Sequence, residues 1–177
     1  MYSSNLLTRP RVGISKCLLG EPVRYDGKHK YNQIIAEELG PYFQWVPVCP
    51  EFESGLGIPR ETLDLIETTN GLRLIMSTAR TDVTPMILKF SDSHIRHLLK
   101  NRIHGFIFKA RSPSCAVDDA LVYRSDNSSE KATGLFASAV LKSFPSLPIE
   151  DENHLKQQSV RTKFIERVLA YHKRSIG

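Results

Sequence analysis

The pattern of apolar runs predicts an α/β fold: a Rossmann-like, mostly parallel sheet flanked by helices, in a single domain. Three observations carry that expectation. Short runs rich in β-branched and aromatic residues alternate with longer stretches of helical period. The stretches between runs are long enough for the crossovers that parallel strands require. Three of the runs, Arg11–Ser15, Phe43–Val48 and Gly105–Lys109, each lead into a segment carrying one of the chain's three cysteines. Open α/β sheets bind ligands at the carboxyl ends of their strands, so parallel pairing would bring three distant sulfurs to one rim.

The elements follow in order. Residues 1–10 read as an N-terminal arm and 11–177 as the α/β domain. After the first strand, Val23–Lys30 is polar and broken by Gly27, hence a loop. Asn32 is placed to cap a helix with Ile34, Ile35 and Leu39 at helical spacing, ended by Gly40-Pro41. The second strand leads into a long loop, Cys49–Arg60, of the length that usually serves function. Asp64–Glu67 and Leu72–Met76, joined through Asn70-Gly71, predict a hairpin at the sheet edge or over it. Asp82 caps a helix to about Lys100 whose buried stripe would be Val83, Met86, Ile87, Phe90, Ile95, Leu98 and Leu99, with Pro85 in its first turn. The third parallel strand follows. A weak strand is expected at Leu121–Tyr123 and a helix over Thr133–Phe144, with Leu135, Phe136, Val140 and Leu141 inward. Leu147-Pro148-Ile149 reads as an edge strand, and Ser159–His172 as an amphipathic last helix.

Composition narrows the class. A chain of 177 residues, 41% hydrophobic, can bury a core without disulfides. No apolar run approaches the ~18 residues of a membrane span, and residues 1–10 lack the apolar centre of a signal peptide. The expectation is a cytoplasmic protein with reduced thiols and no membrane partner. The net charge of +5 suits an anionic substrate or a polyanion such as RNA, although no nucleic-acid-binding motif stands out. Nothing in the pattern speaks to oligomeric state.

Residue pattern alone leaves four readings of the thiols open. They are apolar filler, a single nucleophile with His29 or His104 as base, a zinc site lacking the usual close cysteine pairs, or a [4Fe–4S] cluster with three thiolates.

The motifs themselves narrow this. Val12-Gly13-Ile14-Ser15-Lys16-Cys17-Leu18-Leu19-Gly20 followed by Val23–Lys30 closely resembles the opening signature of the thiouracil desulfurase family. Cys49-Pro50-Glu51 with Gly55–Arg60, Lys109–Cys115 and Gly134-Leu135-Phe136-Ala137 match its later blocks in order. The resemblance runs from about Arg11 to the C-terminus, and this chain is similar to the catalytic domain of longer forms that act on 4-thiouridine in tRNA. Lys28 and Ala116 stand where the family commonly has glycine.

The resemblance implies a [4Fe–4S] cluster on Cys17, Cys49 and Cys115 and a non-redox desulfuration. The open iron would take the soft sulfur of a thiolated pyrimidine, and water would supply the replacing oxygen. The substrate would be thiouracil, a thiouridine nucleotide or 4-thiouridine in tRNA. Glu51 is the expected base, with pairing to Arg60 as its structural alternative. Ser112 is the expected hydroxyl at the substrate, and Ser114 holds the turn or reaches substrate or cluster. Arg24, Tyr25 and Asp26, with His29 beside them, would form a wall of the pocket. The rival function is a zinc-stabilised module that binds RNA or protein without catalysis.

Overall fold

The computed structural model describes residues 9–176; of the predicted arm, only Arg9 and Pro10 fall among them. Eight strands form two sheets. The first contains β1 (Arg11–Ser15), β2 (Gln44–Val48), β5 (Gly105–Phe108) and β8 (Ile149–Asp151) in the order β2-β1-β5-β8. All three of its pairings are parallel. The strand order turns outward in both directions from β1 and β5, the arrangement that opens a crevice at the carboxyl rim.

Helices cover both faces, as a parallel sheet requires. On one face Val12, Ile14 and Ile107 meet Ile35 and Leu39 of the 34–39 segment and Phe164 and Val168 of α3 (Gln158–Ile176). On the other, Val48, Phe106 and Phe108 meet Leu98 of α1 (Thr84–Lys100) and Phe136 and Val140 of α2 (Leu135–Ser143). Gly13 is required there: a Cβ would fall 2.3 Å from the Phe106 ring.

Several expectations change. The hairpin, β3 (Leu63–Thr68) with β4 (Gly71–Met76), does not extend the first sheet. It joins β6 (Ala120–Tyr123) and β7 (Ser129–Ala132) in a second sheet of order β4-β3-β6-β7. β7 was not predicted because Ser129–Ala132 carries only one apolar residue and is largely exposed. The 34–39 segment is a π-helical turn, with Gly40 N–H reaching Ile35 O at 3.2 Å, although Asn32 does accept from Ile35 N–H. The loop after β2 contains a short helical stretch, Phe52–Leu56. Along α1, Val83, Ile87 and Leu98 are buried as expected, but Met86 and Leu99 are exposed, and Thr84 and Ser91 take buried positions instead. The edge strand lies two residues later than predicted, at Ile149–Asp151. Among the described residues no helix is long and apolar enough to cross a membrane.

Candidate active site

Three adjacent strands, β2, β1 and β5, release their chains at the same rim. Cys17 lies in the turn after β1 and Cys49 directly after β2. Cys115 closes the loop that follows β5. All three line one cavity of about 370 Å³, together with Glu51, Ser112, Arg24 and Tyr25. That volume is in the range of small-ligand sites.

The Cys115 loop is fixed from below. Ser15 Oγ accepts from Lys109 N–H at 3.0 Å. Ser112 Oγ accepts from Ser114 N–H at 3.3 Å and Cys115 N–H at 3.1 Å, folding the Ser112–Cys115 turn. The carbonyl of Ser114 receives Phe136 and Ala137 N–H groups from the start of α2. Gly134 permits that approach: a Cβ there would stand 2.5 Å from the Ser114 carbonyl carbon. Ala116 is fully buried in the second sheet's core and accepts from Gly134 N–H.

Electrostatics mark the thiols as an unbalanced set. Burial, then the neighbouring Cys49 sulfur, pushes Cys17 up to about 11. Burial likewise raises Cys49. Cys115 is raised well above the ordinary thiol value by burial, then by Cys49, Glu51 and Cys17. Cys49 thus opposes ionisation of Cys17, and both oppose that of Cys115. Raised thiols disfavour the lone-nucleophile reading, since a nucleophile needs a favoured thiolate. Its bases fail as well. His29 is exposed and does not line the cavity. His104 lies at the opposite rim, where its Nδ1 accepts from Arg11 N–H at 3.0 Å.

Among the described residues no three His, Cys, Asp or Glu side chains are grouped closely enough to hold one metal ion. That disfavours the zinc reading.

Glu51 lines the cavity and is also paired with Arg60, whose Nη2 and Nε lie 2.8 and 3.1 Å from Oε2. The two readings of Glu51 are thus compatible. Ser114 does not line the cavity. It is fully buried and donates its hydroxyl to Glu51 Oε1 at 3.0 Å, in place of the substrate contact expected of it. Asp26 also stays off the cavity wall. It is exposed, accepts from Lys28 N–H at 3.1 Å and stands 3.5 Å from Arg24 Nε, so its role is to shape the loop.

Several residues were not anticipated. Lys109 lines the cavity and pairs with Glu152, whose other oxygen accepts from Ala110 N–H at 2.7 Å. Lys16 pairs with Glu53 at 3.0 Å while Glu53 accepts from Cys49 N–H. With Arg24, Lys30, Arg60 and Arg111, these lysines give the wall six basic side chains against Glu51 as its one carboxylate. Lys109 and Glu152 both follow a parallel strand directly, the same position that singled out the cysteines. Misplacing β8 by two residues hid Glu152.

The sequence profile described as 2-thiouracil desulfurase matches residues 12–152. The chain belongs to the 2-thiouracil desulfurase family. Its cysteines and Glu51 all lie within the matched region, as does the Lys109–Glu152 pair. Among solved structures, this desulfurase is similar to the [4Fe-4S]-dependent thiouracil desulfidase TudS, with a TM-score of 0.66 at 23% identity. The match covers 88% of this chain and 99% of that one. At that identity the likeness establishes a shared fold. No curated protein matches the chain.

Proposed function

We propose that this desulfurase replaces the thiocarbonyl sulfur of a thiolated pyrimidine with oxygen from water, without net redox change, using a [4Fe–4S] cluster on Cys17, Cys49 and Cys115. The supporting observation is the meeting of three thiols, from the exits of three adjacent parallel strands, in one cavity. The donor set fits the group. Thiols whose ionisation is opposed first by desolvation are stabilised as thiolates once iron is their common neighbour. Bound there, the cluster supplies a soft Lewis acid, its iron left without a protein thiolate, that draws electrons from the thiocarbonyl.

The chain's own residues supply the rest. Glu51 takes the proton of the incoming water. Ser112 serves as a donor, because its oxygen already accepts two backbone N–H groups and its O–H is what remains. Arg24 and Tyr25 border the ring. Lys30 and Arg111 line the cavity and, among the described residues, pair with no carboxylate. A phosphate would meet that unused charge, so a thiolated uridine nucleotide suits the site better than free thiouracil.

The test is turnover by anaerobically reconstituted enzyme of 2-thiouracil, 4-thiouridine monophosphate and thiolated tRNA. Sulfide release with the highest kcat/KM for the monophosphate is expected. A preference for tRNA that collapses with salt would move the substrate to the polymer. No turnover of any of the three would remove the proposed reaction.

A further inference from the structure

The surroundings of Glu51 specify more than its presence in the cavity. An ionised carboxylate offers about four lone-pair positions, two on each oxygen. Both on Oε2 face Arg60, through Nη2 at 2.8 Å and Nε at 3.1 Å. One on Oε1 receives the Ser114 hydroxyl at 3.0 Å. The second position on Oε1 remains.

Neither donor is free to wander. The Arg60 side chain is 4% exposed, and its Nη1 donates to the carbonyls of Val23 and Gly57, each at 3.0 Å. Ser114 is fully buried, and its carbonyl is held by the first N–H groups of α2. The donors therefore belong to different parts of the chain, the loop after β2 and the loop after β5, and each is anchored independently of Glu51.

We propose that Arg60 and Ser114 are positioning residues of the desulfuration, and that the free lone pair of Glu51 Oε1 is the atom-level site of proton acceptance. This rests on the reading of Glu51 as the base. The clamp fixes one carboxylate rotamer, occupies Oε2 and leaves one acceptor position on Oε1 of a residue that lines the cavity. Fixing a reacting group in this way is worth large factors in rate. The same contacts tie the Glu51 segment to the Cys115 loop, so the base keeps its place relative to two of the three thiols.

The test is a mutant cycle on the cluster-loaded enzyme, with iron content and melting temperature measured for every variant. Glu51→Gln should lower kcat by about 10²–10⁴, the range of acid–base catalysis. Ser114→Ala should lower kcat by about tenfold or more with KM nearly unchanged, as loss of positioning does. Arg60→Lys, which keeps the charge and loses the fork, should fall between Ser114→Ala and Glu51→Gln. Glu51→Gln/Ser114→Ala should be no slower than Glu51→Gln alone, because the clamp then has nothing to hold. A Ser114→Ala cost that persists in full on the Glu51→Gln background, or an Ser114→Ala enzyme with unchanged kcat, would overturn the clamp. Full activity in Glu51→Gln would instead overturn the reading of Glu51 as the base. If Arg60→Lys fails to fold, the Ser114 arm alone decides.

Discussion

The two rims of the parallel sheet both bury polar side chains, and they differ in whether those groups bond to one another or oppose one another. At the amino rim, His104 Nδ1 accepts from Arg11 N–H, so the neutral ring carries its proton on Nε2, which faces His172 Nδ1 at 3.0 Å. These contacts join α3 to the sheet, and His172 Nε2 is left buried without a hydrogen-bond partner. At the carboxyl rim, Cys49 opposes ionisation of the buried Cys17, both oppose that of the buried Cys115, and unpaired cations face the same cavity. Polar groups that hydrogen-bond across two elements serve architecture. Groups that oppose one another around a cavity and need an outside partner mark a site.

The largest expected effect breaks the functional rim. Changing any one of Cys17, Cys49 or Cys115 to serine should abolish retention of iron and sulfide and bring turnover to background, while the fold persists because each change exchanges one sulfur for oxygen in a hydrophobic cluster held by larger apolar side chains. Full iron content in any single variant would remove that cysteine from the ligand set.

Gly134→Ala acts on the same rim through the backbone. The added Cβ would meet Ser114 and Pro113 backbone atoms at 2.5–2.8 Å, so the Cys115 loop must shift. A loss of about 1–3 kcal/mol is expected from such overpacking, read as a lower melting temperature together with weaker cluster retention. An unchanged protein would mean the loop yields freely.

The amino rim should respond to acid. Burial, then His172 and Arg11, lowers His104 to about 4, against an unfolded value near 6.5. Between those values the unfolded chain binds more protons, so this contribution is complete above about 6.5 and is lost as pH falls toward about 4. Chemical denaturation across that window should show stability falling, with a flatter profile in His104→Asn. Identical profiles would assign the acid loss to other groups.

The smallest effect sharpens substrate choice. Arg111→Gln should raise KM several-fold for the thiolated monophosphate and leave that for the free base unchanged; equal changes for both would place Arg111 outside phosphate recognition.

The sequence made the carboxyl rim legible because its logic is positional. A short apolar run followed by a chemically distinctive residue identifies strand exits, and the first three parallel strands were found this way. The amino rim gave no such signal, since His104 and His172 are 68 positions apart and meet only through packing. Arg60 was named only as a partner of Glu51, and its clamp with Ser114 depends on two loops converging in space. The second sheet was missed because β6 and β7 are short, and half or more of each strand is exposed. Their pairing with the hairpin is set by long-range contacts.

The most direct measurement is the iron and acid-labile sulfide content of anaerobically reconstituted protein, with its visible spectrum. Three thiolates sharing one cluster should give about four irons and four sulfides per chain, a brown colour, and loss of all three on exchanging any one cysteine. A colourless protein holding a single zinc, or one whose iron survives removal of a cysteine, would contradict the shared site.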